Sequence, residues 1–131
     1  MNEYLEEARA FFANDKYATD ATGCVIDEVG ENYARCSLTL EPRHRNAVGN
    51  IMGGVTFTLA DFAFAVATNF RQSVTVSVTS TISHLGTVKG TRLIATTRLV
   101  KDGKRNCFYE IDIVDDLDSP VAMVTITGAH P

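Results

Sequence analysis

The stretch from Asn46 to Phe70 contains a single charged side chain, that of Asp61. Gly53 and Gly54 precede a run of residues that are almost all apolar or threonine. This run predicts a helix from Gly53 to about Phe70 that is buried on nearly all sides. An ionised carboxylate in apolar surroundings is costly, and its pKa rises unless it is paired or solvated. We therefore expect Asp61 to be a buried acid with a functional role.

The composition is that of an ordinary globular protein. The chain has 131 residues, of which 45% are hydrophobic and 21% charged. This length allows one core to form without disulfides or structural metal, so residues 1–131 are predicted to form a single domain. The net charge of −4 and the lack of a long basic run argue against a nucleic-acid partner.

The cysteines and the N-terminus favour an intracellular protein. Cys24, Cys36 and Cys107 are an odd number without C-x-x-C spacing, which is typical of reduced thiols packed as small apolar side chains. Residues 1–7 are acidic where a signal peptide would be basic. The apolar run is interrupted by Asp61 and threonines, and a membrane span needs about 18 uncharged residues. A soluble, cytoplasmic protein without a membrane partner is expected.

The rest of the chain has the periodicity of strands, apart from a short amphipathic helix predicted at residues 2–13. Two strands are expected within residues 24–40, separated by a turn at residues 28–32. Strict alternation of valine with serine or threonine follows the long helix. Further strands are predicted at residues 92–100, 106–114 and 121–127. The predicted fold is α+β, with an antiparallel sheet wrapped around one long central helix. Because such a sheet leaves edges to cover, we expect a homodimer and, from two dimers, a homotetramer.

A motif from Asn46 to Ala63 reads Asn-x-x-Gly-x-x-Met-Gly-Gly-x4-Leu-Ala-Asp-x-Ala. It resembles the motif of hotdog-fold acyl-CoA thioesterases of the PaaI-like type, in the 4-hydroxybenzoyl-CoA thioesterase superfamily. The resemblance extends over about residues 24–127, including Val-Ser-Val at 76–78 and the Gly-Lys turn at 103–104. At one position the chain departs from the family, which usually has a histidine directly before the two glycines, where this chain has Met52.

Thioester hydrolysis needs a polarised carbonyl and an attacking group. Free N–H groups at a helix N-terminus supply the first, and glycine lets a ligand approach closely. The resemblance implies that the Gly53 N–H binds the thioester oxygen and that Asp61 is the general base or the nucleophile, with both roles open. Asp61 lies about 11 Å along the helix from Gly53. The resemblance implies that the two groups come from different protomers of the dimer.

The resemblance gives further residues roles in the site. Asn46 orients the water or the acid, although an ordinary turn asparagine is the alternative. Met52 and Gly54 contact the substrate. Ser77 supplies a hydroxyl near the acid, and Thr79, two residues along on the same predicted face, is the alternative.

Coenzyme A also brings phosphate groups. Lys89, Lys104 and Arg105 flank two predicted turns and are candidates to bind these phosphates, with solvated turn charges as the alternative. The basic cluster Arg43, His44 and Arg45 is expected to line the mouth of the site. Coenzyme A enters as part of the substrate, so no separate cofactor is expected, and no metal site fits the spacing.

The expected activity is hydrolysis of an aryl- or medium-chain acyl-CoA to the free acid and CoA. The alternative is a non-hydrolytic acyl-CoA-binding module, because Met52 replaces the histidine of the family. A hotdog dehydratase is disfavoured, since no histidine lies between His44 and His84. A cysteine nucleophile paired with His84 fails on spacing.

Overall fold

The computed structural model describes residues 2–131, so Met1, the first residue of the predicted domain, lies outside the described residues. The two α-helices are α1 (Asn2–Phe12) and α2 (Gly53–Asn69). The six strands are β1 (Val25–Gly30), β2 (Tyr33–Thr39), β3 (Val76–His84), β4 (Arg92–Asp102), β5 (Asn106–Asp115) and β6 (Pro120–Ala129). No helix within residues 2–131 has the length and apolar character needed to cross a bilayer.

The strands form one antiparallel sheet in the order β1-β2-β4-β5-β6-β3. Helix α2 connects β2 to β3 and so carries the chain from one side of the sheet to its far edge. Strands β4, β5 and β6 then return as a meander, with β6 pairing with β3. The predicted α+β fold, one sheet against one long helix, is confirmed. Two short turns were not predicted, a π-helical turn at Tyr17–Thr22 and a 3-10 turn at Pro42–His44.

The core lies between α2 and the concave face of the sheet. Leu59 and Val66 of α2 and Ile111 of β5 are completely buried. The rings of Phe64 and Tyr109 meet edge to face, with centroids 5.4 Å apart. Helix α1 closes one end of this core by burying Ala8 and Phe12. This packing holds α2 against the sheet and so positions the residues on its remaining face.

One face of α2 remains open, so the prediction of burial on nearly all sides is wrong there. Gly54, Thr58, Asp61 and Ala65 follow one another at intervals of four, three and four residues, which places them on one stripe. Gly54 and Asp61 are exposed, and Thr58 and Ala65 are half-buried. Asp61 is therefore exposed in the single chain rather than buried, because its neighbours on the stripe are too small and too polar to enclose it.

The three cysteines pack into the core as free thiols, as predicted. Cys24 and Cys36 lie on the β1–β2 side, and Cys107 lies in β5. Burial raises the pKa of the Cys24 thiol to about 12, and it raises the pKa of Cys36 well above its usual range. These thiols therefore stay protonated near neutral pH in the folded chain.

Candidate active site

Helix α2 begins with free backbone N–H groups. Met52 is its N-cap residue and supplies no side-chain hydrogen bond. The N–H of Val55 turns back to the carbonyl of Met52 at 3.0 Å. Within residues 2–131, the N–H groups of Gly53 and Gly54 have no hydrogen-bond partner. The positive end of the helix dipole and two unused donors are therefore available to a ligand.

The loop that leads into α2 is built around the buried side chain of His44. Its Nδ1 accepts a hydrogen bond from the Glu41 N–H at 2.9 Å, which leaves Nε2 to donate to the Thr22 carbonyl at 2.7 Å. The His44 carbonyl accepts the N–H of Met52 at 3.0 Å. The prediction that His44 lines the mouth of the site is wrong, because its ring fills the space beneath the loop. It holds the residue directly before Gly53 in place.

Asn46 organises the same loop. Its side-chain oxygen accepts hydrogen bonds from the N–H groups of Val48 at 3.1 Å and Asn50 at 3.0 Å. The interpretation as a turn asparagine is therefore confirmed. Its amide nitrogen has no hydrogen-bond partner within residues 2–131, and the residue lines the same cavity as Gly53. A second role toward a substrate stays a prediction.

A cavity of about 390 Å³ opens at the start of α2. Besides Gly53, its lining includes Asn46, Thr56 and His84. A Cβ atom on Gly53 would lie 3.1 Å from Cε1 and 3.2 Å from Nε2 of His84. A side chain at position 53 would therefore press against this imidazole, which would have to shift by a few tenths of an ångström. No local sequence pattern indicates this contact, because it joins residues far apart in the chain.

Asp61 lines a different cavity, of about 440 Å³, together with Asp15, Tyr17, Phe57 and Thr58. Its carboxylate has no hydrogen-bond partner within residues 2–131. Desolvation raises the pKa of Asp61, and the negative charge of Asp15 raises it further. A carboxylate with a raised pKa is a better proton acceptor. One chain therefore holds a carboxylate with a raised pKa and a helix end with free N–H donors in two separate cavities.

The two hydroxyl candidates on β3 lie on opposite faces of the sheet. A bulge at Val78 shifts the register, so that Ser77 pairs with Gly128 and Thr79 with Thr127. Gly128 faces α2, since a Cβ atom there would lie 2.9 Å from Phe64. Adjacent residues of a strand point to opposite faces. Ser77 therefore lies on the α2 side, Thr79 lies on the other side, and the prediction of a shared face is wrong.

One turn beside the Gly53 cavity is held by the buried carboxylate of Asp115. Its Oδ2 accepts the N–H groups of Lys89 at 2.8 Å and Gly90 at 3.0 Å. Its Oδ1 accepts those of Leu117 at 3.0 Å and Ser119 at 2.9 Å. Burial by itself raises the pKa of Asp115, but the four N–H donors lower it well below its usual range. Lys89 and Gly90 belong to the turn at residues 86–90, which supplies part of the cavity wall.

Residues 48–122 match the family model of the thioesterase superfamily. The chain belongs to this superfamily. It is 33% identical to the acyl-coenzyme A thioesterase PaaI of Escherichia coli over 119 residues, which cover 90% of this chain and 84% of that protein. It is 31% identical to human acyl-coenzyme A thioesterase 13 over 83 residues, or 61% and 59% of the two chains.

The solved structure of the E. coli PaaI protein has the same fold. It superposes with a TM-score of 0.83 at 27% sequence identity and covers 97% of this chain and 96% of that one. The prediction of a PaaI-like hotdog thioesterase is therefore confirmed. At the position where the family usually has a histidine, Met52 stands directly before Gly53 and is exposed. Its methyl carbon lies 3.4 Å from the position of a Cβ atom on Gly54.

The basic residues predicted to bind phosphate are separated by the structure. Lys89 precedes β4, whereas Lys104 and Arg105 follow it, and all three are exposed. A strand of this length spans roughly 30 Å. Lys89 and Lys104 of one chain are therefore too far apart to bind the same phosphate group. Lys104 lies beside a polar cavity with Asp102 and His130.

Proposed function

We propose that this thioesterase hydrolyses an aryl- or medium-chain acyl-CoA to the free acid and CoA, in a site formed by two protomers. The Gly53 N–H of one protomer polarises the thioester carbonyl. Asp61 of the partner subunit acts as general base or nucleophile. Asn46 and Ser77 orient the attacking group, Met52 and Gly54 contact the acyl-thioester, and basic turn residues hold the phosphates. Coenzyme A is part of the substrate, and no further cofactor takes part.

One observation carries this proposal: α2 presents two unused N–H donors at its start and an unpartnered acid with a raised pKa on its open stripe. Polarising a carbonyl and activating an attacking oxygen are the two tasks of thioester hydrolysis. The names of the relatives, acyl-coenzyme A thioesterases, favour an acyl-CoA as the substrate. Both groups face outward, where a second protomer can complete the site.

The edge strand β3 supports the dimer. It pairs with β6 on one side only, and eight of its nine residues are exposed in the single chain, Ile82 being half-buried. Val76 and Val78 are among the exposed residues. A long exposed edge with apolar side chains is a template for pairing with another strand. Pairing of β3 with its copy about a two-fold axis would cover it, and two such dimers would form the homotetramer.

Two routes lead from this site to the same products. As a base, Asp61 takes a proton from water while the water oxygen attacks the carbonyl carbon. As a nucleophile, its carboxylate oxygen attacks first and forms an anhydride, which water then hydrolyses. In both routes the carbonyl oxygen becomes an oxyanion held by the Gly53 N–H, the C–S bond breaks, and CoA leaves as a thiolate that takes up a proton.

The proposal is tested by measuring release of free CoA thiol from aryl- and medium-chain acyl-CoAs. We expect turnover by the wild type and a loss of about 10³-fold in Asp61→Ala. Glu31→Ala, which removes an exposed acid from the β1–β2 turn, serves as the control and should keep full activity. Equal turnover by wild type and Asp61→Ala would remove Asp61 from the mechanism. Binding without turnover by the wild type would favour the non-hydrolytic acyl-CoA-binding module.

Subunit mixing tests the two-protomer site. Gly53→Ala and Asp61→Ala are each expected to lose most of the activity, the former because its methyl group would crowd the cavity beside the carbonyl-binding N–H. A hybrid dimer of these variants carries both defects in one site and none in the other. The hybrid, isolated with two affinity tags, should recover about half of the wild-type activity. A hybrid without activity would contradict a site shared between protomers.

A further inference from the structure

The three histidines of this chain differ in how their ring nitrogens are used. Both nitrogens of His44 are engaged, as described above. His130 is likewise engaged, with Nδ1 3.0 Å from Thr75 Oγ1 and Nε2 2.9 Å from Asp102 Oδ1. Neither ring nitrogen of His84 has a hydrogen-bond partner within residues 2–131. His84 thus holds a free donor and a free acceptor.

The position of this free ring is set by the sheet. His84 is the last residue of β3 and pairs with Ala122, while Ile82, two residues earlier, faces α2 on the same side. The side chain of His84 therefore reaches toward the N-terminus of α2. Its Cε1–Nε2 edge occupies the space beside the Cα atom of Gly53 that a larger residue would fill. The imidazole and the free Gly53 N–H line the same cavity.

Gly53 leaves space that this ring occupies. Among the described residues, the glycines with a positive φ are Gly23 and Gly49, so the conformation of Gly53 is open to any residue. A side chain at position 53 would instead crowd His84, which approaches to within 3.1 Å of the point where a Cβ atom would lie. The imidazole thus lies beside the start of α2 and lines the same cavity.

We propose that the Nε2–H of His84 is a second hydrogen-bond donor to the thioester oxygen, beside the Gly53 N–H. This inference rests on the proposed function, because it requires the carbonyl to bind at the start of α2. The imidazole only donates a hydrogen bond, and no covalent bond to it forms or breaks. As the carbonyl oxygen gains negative charge, two donors share that charge. The chain lacks a histidine at position 52 but supplies an imidazole to the same helix end from β3.

Two substitutions at position 84 distinguish the effect of the hydrogen-bond donor from that of the ring shape. His84→Phe keeps an aromatic ring without a donor and should lower kcat about 10²–10³-fold while changing KM less than about threefold. His84→Gln has an amide N–H that reaches the position of Nε2, and it should retain kcat within about tenfold. Ser83→Ala, on the opposite face of β3, is the control and should leave kcat unchanged. An unchanged kcat in His84→Phe, or an equal loss in both His84 variants, would overturn the proposal.

A binding experiment tests the same contact without turnover. The ¹⁵N resonances of the imidazole rings are recorded in the wild type with CoA and with an analogue in which a methylene group replaces the thioester sulfur, leaving a ketone. The His84 signals should move with the ketone and not with CoA alone, while buried His44 serves as the internal reference. An unmoved His84 signal would overturn the donor role. If His84 responds while the wild type releases no CoA, hydrolysis is refuted and the carbonyl contact stands.

Discussion

Two aspartates in this molecule have opposite surroundings. Asp115 is buried and accepts four backbone N–H groups, which lower its pKa. Asp61 is exposed in the single chain, accepts no hydrogen bond within residues 2–131, and has a raised pKa. The difference follows from what each carboxylate faces. Asp115 faces two turns whose N–H groups need acceptors, whereas Asp61 projects from the middle of a helix whose N–H groups are already paired.

The comparison distinguishes two uses of an aspartate side chain. Asp115 stabilises turns, whereas Asp61 is available to react. A carboxylate saturated with donors is stabilised in its ionised form and is a weak base. A carboxylate without donors and close to a second negative charge is readily protonated, as general base catalysis requires. The backbone shows the same division, because the turns at Asp115 satisfy their N–H groups while the start of α2 leaves two of them free. Unsatisfied groups therefore mark the candidate site.

The largest effect is expected for Asp61→Asn. It should lower kcat/KM about 10³-fold, since the amide can neither accept a proton nor attack efficiently. The melting temperature should stay the same or rise slightly, because the repulsion between the charges of Asp61 and Asp15 is removed. Thermal unfolding and CoA release, measured on the same preparation, check both statements. A marked loss of stability would show that Asp61 has a structural role instead.

For Asp115→Ala the expected effect is a loss of stability. Four N–H donors would lose their acceptor, and we expect the free energy of unfolding to fall by about 3–5 kcal/mol. Asp115→Asn keeps one acceptor oxygen and should lose less. Urea unfolding gives both values, with Asp112→Ala, an exposed acid on β5, as the control. A loss below about 1 kcal/mol would mean that water replaces the carboxylate at these turns.

A third expectation concerns stability at acidic pH. Since the folded-state pKa of Asp115 is lowered, its contribution to stability is fully present above the unfolded-state pKa of about 4 and is lost as pH falls toward the folded-state value. The free energy of unfolding of the wild type should therefore decrease below about pH 4. In Asp115→Asn this decrease should be shallower. Identical slopes in the two proteins would assign acid sensitivity to other groups.

The smallest effect is expected for Asp15→Asn. In the proposed mechanism Asp61 must be ionised, so its raised pKa should move the acid limb of the kcat/KM profile to higher pH than an ordinary aspartate would give. Removing the negative charge of Asp15 lowers the pKa of Asp61 and should move this limb toward lower pH. Glu31→Gln should leave the profile in place. An unmoved limb in Asp15→Asn would show that desolvation alone raises the pKa.

Most of the fold could be predicted from local sequence patterns. The run from Gly53 predicted the long helix to within one residue of its end at Asn69, and alternation predicted the strands of the second half. The turn at residues 115–120 was also expected. What the sequence did not indicate is that Asp115 reaches back to Lys89 and Gly90, because that contact depends on two turns meeting at one end of the sheet.

Part of the candidate site could also be predicted from a local sequence pattern. The motif identified Gly53, which lies at the start of α2, and Asp61, which lies on the open stripe of α2. These are the places that the proposed chemistry needs. The bulge at Val78 reversed the face of Thr79, and no local pattern marked it. The burial of His44 and the approach of His84 to Gly53 arise from packing between distant segments. Periodicity describes which face a residue takes within its own element, and it does not tell which element covers that face.

The three buried cysteine thiols can be used to detect local opening of the folded chain. A protonated, enclosed thiol reacts slowly with alkylating reagents, so each cysteine is labelled only when its surroundings open. Cys24 and Cys36 lie on the β1–β2 side, whereas Cys107 lies in β5 next to the β4–β5 turn. The order in which they react under native conditions would show which end of the sheet separates first. No engineered label is needed to follow this opening.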